Sequence, residues 1–326
     1  MNVSTAERRL LDASCATGDR AVQAWRDWSA AVDLDRIPRG EFQLLPLVFR
    51  NLESHRLEDV PFRKAYAFYR QTWLANQLAL RRLAEIAVRL DSLGIRYAVA
   101  GEVAAALVAY PDPGARPITE IAVLVSPADL EPAKALGPEP LVSFHSQLAP
   151  GVTRRFPASL LDGARTRQVG GSSLRVLQPA DLFLIACDAL GTWGVEPRTL
   201  VLADAWKLLA LLRSETDWER LLHQSTAERA NLLVRSALAE LEILGAGAVP
   251  GPFRLGLEAI RPGVLERLEY RKKHREPGPL PGHELSLLVL RHLRARAAGD
   301  TQARLPELPR KILHHVAWRL RSQPHR

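Results

Sequence analysis

Glu120 and Ala122 stand two residues apart in ARPITEIAVLV, residues 115–125. The apolar run after an arginine–proline turn reads as a buried strand. Alternate residues of a strand share a face, and two carboxylates at this spacing would hold divalent cations through hard oxygen ligands. Here the first position is acidic and the second supplies no ligand atom. Upstream, Gly101 follows a short apolar run and allows the tight turn that points a helix N-terminus at an anion. Glu102 then places a carboxylate in the helix's first turn, which favours the helix dipole and repels a phosphate. Arg116 can answer a phosphate, or it can pair with Glu120 or Glu102. Convergence of Glu102 and Glu120 on a single cation is a further arrangement that these residues allow.

The elements that must position them follow from the changing period of the chain. Residues 4–35 read as helical, with Trp25 and Trp28 on one face, and 43–52 as a second helical region. A long amphipathic helix runs from about Lys64 to Leu93, with Leu74, Leu78, Leu80, Leu83, Ile86, Val88 and Leu90 near helical spacing. Gly94 is its expected C-cap. RYAVAG then reads as a short strand, EVAAALVAY as a helix, PDPGARP (111–117) as a loop and ITEIAVLV as the second strand. PADLEPAKAL is a short helix, LVSFHSQLA a third strand, and segments near 152–158 and 165–177 supply one or two more. GGSSLRV (170–176) lacks the Gly-x-Ser-x-Gly spacing of a nucleophile elbow and reads as a hairpin. From Pro179 helices are expected at about 179–190, 198–213, 217–223 and 226–244. After a break at GAGAVPGPF, basic helices are expected near 258–275, 284–297 and 308–321. The boundaries are then 1–93 for an N-terminal helical region, 94–178 for an α/β core, and 179–326 for a helical C-terminal domain with a basic tail.

Composition narrows the classes. Of 326 residues, 47% are hydrophobic and 25% charged, which is globular rather than disordered. Cys15 and Cys187 have no partner spacing, so neither a disulfide nor a cysteine metal site is expected, and a reducing, cytoplasmic setting fits. No signal-peptide pattern and no transmembrane segment is read. Residues 265–326 hold 14 basic and 6 acidic residues, which equals the net charge of +8 of the whole chain. That asymmetry suits RNA or another polyanion, including an anionic membrane surface. His145 reads as packed or solvent-facing. His314 and His315 are adjacent, so a helix points them apart and they form no i,i+4 metal pair.

The run LGIRYAVAGEVAAALVAYPDPGARPITEIAVLVSPADLEPA, followed by VLQPADLFLIACDAL and RTLVLADAWKLLALL, resembles an uncharacterised bacterial nucleotidyltransferase family of the polymerase-β-type superfamily. The resemblance implies an α+β fold in which a small mixed β-sheet core of nucleotidyltransferase type is embedded in a mostly helical protein with a helical C-terminal half. It also implies attack on the α-phosphorus of a nucleoside triphosphate at two Mg²⁺ ions, held by an Asp-x-Asp strand and a third carboxylate from an Asp-x-His-Trp strand. On that pattern Glu120 is the catalytic and metal-binding residue, Ala122 replaces the second aspartate, and Gly101, Glu102 and Arg116 take the nucleotide-binding positions. The lysine often found before the glycine is Ala100. The third carboxylate falls near Thr153 in GVTRRFPAS, where no acid occurs, and Asp162 could serve only in a shifted register. Asp204 matches an acid common in the helical half, and pairing with a buried arginine is as good a role for it as contact with substrate.

The expectation is a catalytically degenerate relative that binds a nucleotide, polyanion or protein partner and needs no cofactor. One alternative is an active Mg²⁺-dependent enzyme using Glu120. A second is an RNA- or membrane-surface-binding protein acting through 265–326.

Overall fold

The computed structural model describes residues 3–33, 36–137, 141–146, 158–192 and 197–274. The expected strand near 152–158, the Thr153 position, His314 and His315, and the helices near 284–297 and 308–321 lie outside the described residues. The N-terminal part is helical: α1 (Thr5–Cys15), α2 (Gly18–Ser29), α3 (Arg39–Phe42), α4 (Leu45–Leu52) and the long α5 (Val60–Ser92). The expected 4–35 helix is thus two. Ser4 and Glu7 form a reciprocal cap on α1, and Asp59 caps α5 through the Phe62 amide at 2.7 Å. Trp25 and Trp28 are buried and stacked, with ring centroids 5.2 Å apart.

The sheet follows as β1 (Tyr97–Ala100), α6 (Gly101–Ala109), β2 (Ile121–Val125), α7 (Leu130–Lys134), β3 (Val142–His145), α8 (Ala158–Gly163), β4 (Arg165–Val169) and β5 (Ser172–Val176). Its order is β3-β2-β1-β5-β4. β1 runs antiparallel to β2 and parallel to β5, β3 lies parallel to β2, and β4 closes a hairpin on β5. The hairpin turns at Gly170 and Gly171, both at positive φ, which fits the reading of GGSSLRV as a turn. This is a small mixed β-sheet in a mostly helical protein.

Helices α9 (Pro179–Leu190), α10 (Arg198–Leu209), α11 (Glu215–Ala227), α12 (Asn231–Leu244), α13 (Gly251–Ala259) and α14 (Val264–Lys273) complete the described chain. The basic helix expected over 258–275 is therefore broken at Ile260–Gly263, between α13 and α14. Lys273, read as part of the basic surface, is instead buried against Asp188. α9 and α10 bury most of their residues, and apolar contact runs continuously from α1 through the sheet to α13. Among the described residues no helix is long and apolar enough to cross a membrane.

α5 corrects one reading. Leu80, Leu83, Ile86 and Leu90 are buried as its period predicts, but Leu74, Leu78 and Val88 are exposed. At 100° per residue the three exposed residues fall on the side of the helix away from Leu83 and Leu90, so the two sets never shared one stripe. Its middle turns face the 111–118 loop through other residues.

Candidate functional site

β1 ends at Ala100, and the chain enters α6 through Gly101 at φ +60°. A Cβ added at Gly101 would stand 3.3 Å from the Ala122 Cβ, so β2 passes directly beneath this turn. Ala122 lies between Ala100 on β1 and Ser143 on β3. A carboxylate at 122 would therefore meet the helix N-terminus, and the methyl group present offers nothing to a cation.

Glu120 sits one residue before β2 rather than inside it. Its carboxylate accepts a hydrogen bond from the Ser143 hydroxyl. His145 Nε2 lies 2.8 Å from Ser143 Oγ and 3.5 Å from Glu120 Oε1. Two residues apart on β3, Ser143 and His145 share the face that meets Glu120. His145, read as packed or solvent-facing, is exposed and joined to this cluster. Contact with His145 pulls the Glu120 carboxylate below its ordinary pKa; partial burial opposes this and the Ser143 hydrogen bond adds to it.

A test follows from the sign. A lowered folded pKa contributes stability above the ordinary glutamate value and loses it as pH falls through the lowered one. His145→Ala is expected to return the Glu120 titration upward, read by NMR of the side-chain carboxyl. An unmoved titration would contradict the contact.

Glu102 is turned away from Glu120's carboxylate. It accepts from the Thr119 amide at 2.8 Å, the Thr119 hydroxyl at 2.7 Å and the Glu120 amide at 3.2 Å. Arg116 Nη1 lies 3.4 Å from the same carboxylate. The cavity that a phosphate would need between the α6 N-terminus and the 119–120 backbone is therefore filled by the protein's own anion. The carboxylates of Glu102 and Glu120 serve different partners, the first the 119–120 backbone and the second Ser143. Among the described residues no three His, Cys, Asp or Glu side chains converge as a metal would require.

Arg116 is 2% exposed and grips Asp204 with two bonds, Nε to Oδ1 at 3.1 Å and Nη2 to Oδ2 at 2.7 Å. Nη1 donates to the Pro117 carbonyl at 2.5 Å. The Tyr110 hydroxyl donates a hydrogen bond to Asp204 as well. Burial opposes the guanidinium charge, yet Asp204 outweighs burial and holds Arg116 protonated. Burial first, and Asp204 second, keep the Tyr110 hydroxyl a neutral donor. Arg116 and Asp204 thus form a buried ion pair, the contact with a buried arginine that the sequence offered as one role for Asp204.

The loop carrying Arg116 is clamped from α5. Asn76, 1% exposed, donates to the carbonyls of Pro113 and Arg116 and accepts from the Ile118 amide at 3.1 Å. Gly114 is required because a Cβ there would come within 2.4 Å of the Tyr69 ring.

Asp162 does not join the site. It pairs with Arg96, which precedes β1, whereas Gly101 follows its other end. Four strand residues separate the two ends, about 13 Å at 3.3 Å per residue. Among the described residues, the side chain beside Glu120 and Ala122 on the neighbouring strand is that of Ser143. The available signal is the Ser-x-His spacing of VSFHS (142–146), which gains meaning only once β3 is seen to pair with β2. The cysteines are inert to this chemistry: both are buried and unpaired, and burial pushes the Cys15 thiol up to about 12.

A protein family and a solved structure are similar to parts of this chain. A family described as "Uncharacterised nucleotidyltransferase" matches residues 40–136. The match takes in Gly101, Glu102, Arg116, Glu120 and Ala122 and stops before Ser143. A solved structure, an antigenic nucleotidyltransferase-like protein from Paracoccidioides brasiliensis, is 14% identical. It covers 54% of this chain and 95% of its own, with a TM-score of 0.35. No curated protein matches the chain.

Proposed function

We propose that this chain is a nucleotidyltransferase-like protein with a degenerate catalytic face, which binds a nucleotide, polyanion or protein partner without metal-dependent nucleotidyl transfer. One observation carries the reading. Of the three neighbouring positions Glu120, Ala122 and Ser143, only the first has a carboxylate, and Ser143 already donates to it. Attack on an α-phosphorus needs two cations about 3.5–4 Å apart, flanking the attacking and leaving oxygens. Mg²⁺ demands near-octahedral oxygen ligation at about 2.0–2.1 Å. One hydrogen-bonded carboxylate, a methyl group and a neutral hydroxyl do not fit that requirement.

The phosphate side supports the same reading. Glu102 caps the backbone donors at 119 and 120, and Arg116 has its donors taken by Asp204 and Pro117. A triphosphate entering here would meet a carboxylate in place of open N–H groups. The inert, buried cysteines suit the reducing cytoplasmic setting that belongs to the same reading.

Calorimetric titration of Mg²⁺ with each nucleoside triphosphate tests it, using the native chain beside a variant carrying Ala122→Asp and Ser143→Asp. The native chain is expected to show no Mg²⁺-dependent binding, and the variant to acquire it. Equal Mg²⁺-dependent binding by both would sink the proposal.

A further inference from the structure

The middle of α5 carries a second feature, separate from the strand site. Residues 60–84 contain five basic residues, Arg63, Lys64, Arg70, Arg81 and Arg82, and no acid. At 100° per residue, Arg63, Tyr66, Arg70, Trp73 and Arg81 fall within one stripe about 80° wide. All five are exposed. Tyr66 is 42% exposed and Trp73 41%, large values for aromatic side chains outside a core. Arg70 lies over the Tyr66 ring, 5.9 Å from its centroid, and donates to its hydroxyl at 3.0 Å. Among the described residues neither Arg63 nor Arg70 meets a carboxylate, while Arg81 reaches Glu85 at 3.4 Å.

From this stripe we infer that α5 is a binding surface for single-stranded nucleic acid. Exposed aromatics interleaved with exposed arginines offer stacking to bases and charge to phosphates, the two terms that hold single strands without base-edge readout. The stripe runs ~27 Å from Arg63 to Arg81 at 1.5 Å per residue. Trp73 stands about 60° around the helix from Asn76, so the strand would pass beside the 111–118 loop. Exposed Leu74 and Leu78 flank the stripe and would also suit a protein. Charge decides between the occupants. Residues 275–326 hold 10 basic and 4 acidic residues, so the chain's own tail is repelled by this face, and a polyanion is its complement. The inference stands on α5 alone and holds whether or not the strand site has chemistry.

The experiment is fluorescence anisotropy of a labelled 12-nucleotide oligouridylate with the full-length chain at low salt. Trp73→Ala and Arg70→Ala are each expected to weaken binding about tenfold, and the exposed control Arg213→Ala to leave it unchanged. The Arg63→Ala, Arg70→Ala double variant should flatten the slope of log K against log salt by about 1.4, or about 0.7 per lost phosphate contact. Three results would overturn the inference: no binding by the native chain, binding indifferent to the α5 substitutions, or an equal loss in the Arg213 control. All these side chains are exposed, so circular dichroism should report an intact fold for each variant.

Discussion

Asp204→Asn is expected to cost the fold about 3–5 kcal/mol, the range for leaving one member of a buried ion pair without its partner. The asparagine keeps the shape of the side chain, so the loss reports charge rather than volume. Arg116 is almost wholly enclosed, and among the described residues Asp204 and Glu102 answer its charge, with Asp204 much the closer. The measurement is urea denaturation, with a lower midpoint at an unchanged slope. Replacing both partners by apolar residues, Arg116→Met with Asp204→Leu, should recover much of the loss, because the desolvation penalty of both charges disappears together. A single substitution that leaves the midpoint in place would show that the pair contributes nothing, and the structural role given to Arg116 would fall with it.

The second large effect is expected at Asn76. Its side chain satisfies three backbone groups of the Arg116 loop, two buried at Arg116 and Ile118 and one half-buried at Pro113. Asn76→Ala orphans all three, at about 1–3 kcal/mol each before any water enters. A total loss of about 3 kcal/mol is the expected outcome, with faster hydrogen exchange at the Ile118 amide as its local signature. Exchange that stays as slow as in the native chain would show that the loop holds its shape without α5.

Both predictions rest on residues whose roles the sequence disclosed unequally. Helix and strand order followed from period and punctuation. Gly94 ends α5, Gly101 opens α6, and the paired glycines at 170–171 turn the hairpin. Glu120 and Ala122 were legible because a strand fixes which residues share a face. Ser143 was harder to read, since a serine in a strand carries no signature until its neighbour is known. The parallel pairing of β2 with β3 supplies that neighbour. Asn76 was invisible for a related reason. Its partners are 37–42 residues away and are backbone groups, so no side-chain pattern marks them. The exposed Leu74 and Leu78 were misplaced because their spacing, taken at 100° per residue, sets them on the face away from Leu83 and Leu90. The place of Glu102 in the first turn of a helix was legible, but its contacts with the 119–120 backbone required the fold.

The central claim is that the strand face has lost the ligands for metal-dependent chemistry. Its most direct test is calorimetric titration of each nucleoside triphosphate, with and without Mg²⁺, into the native chain and into Glu120→Ala. The account predicts no Mg²⁺-dependent heat from either protein up to millimolar ligand. Mg²⁺-dependent binding by the native chain, abolished in Glu120→Ala, would contradict it and return Glu120 to the role of a catalytic metal ligand.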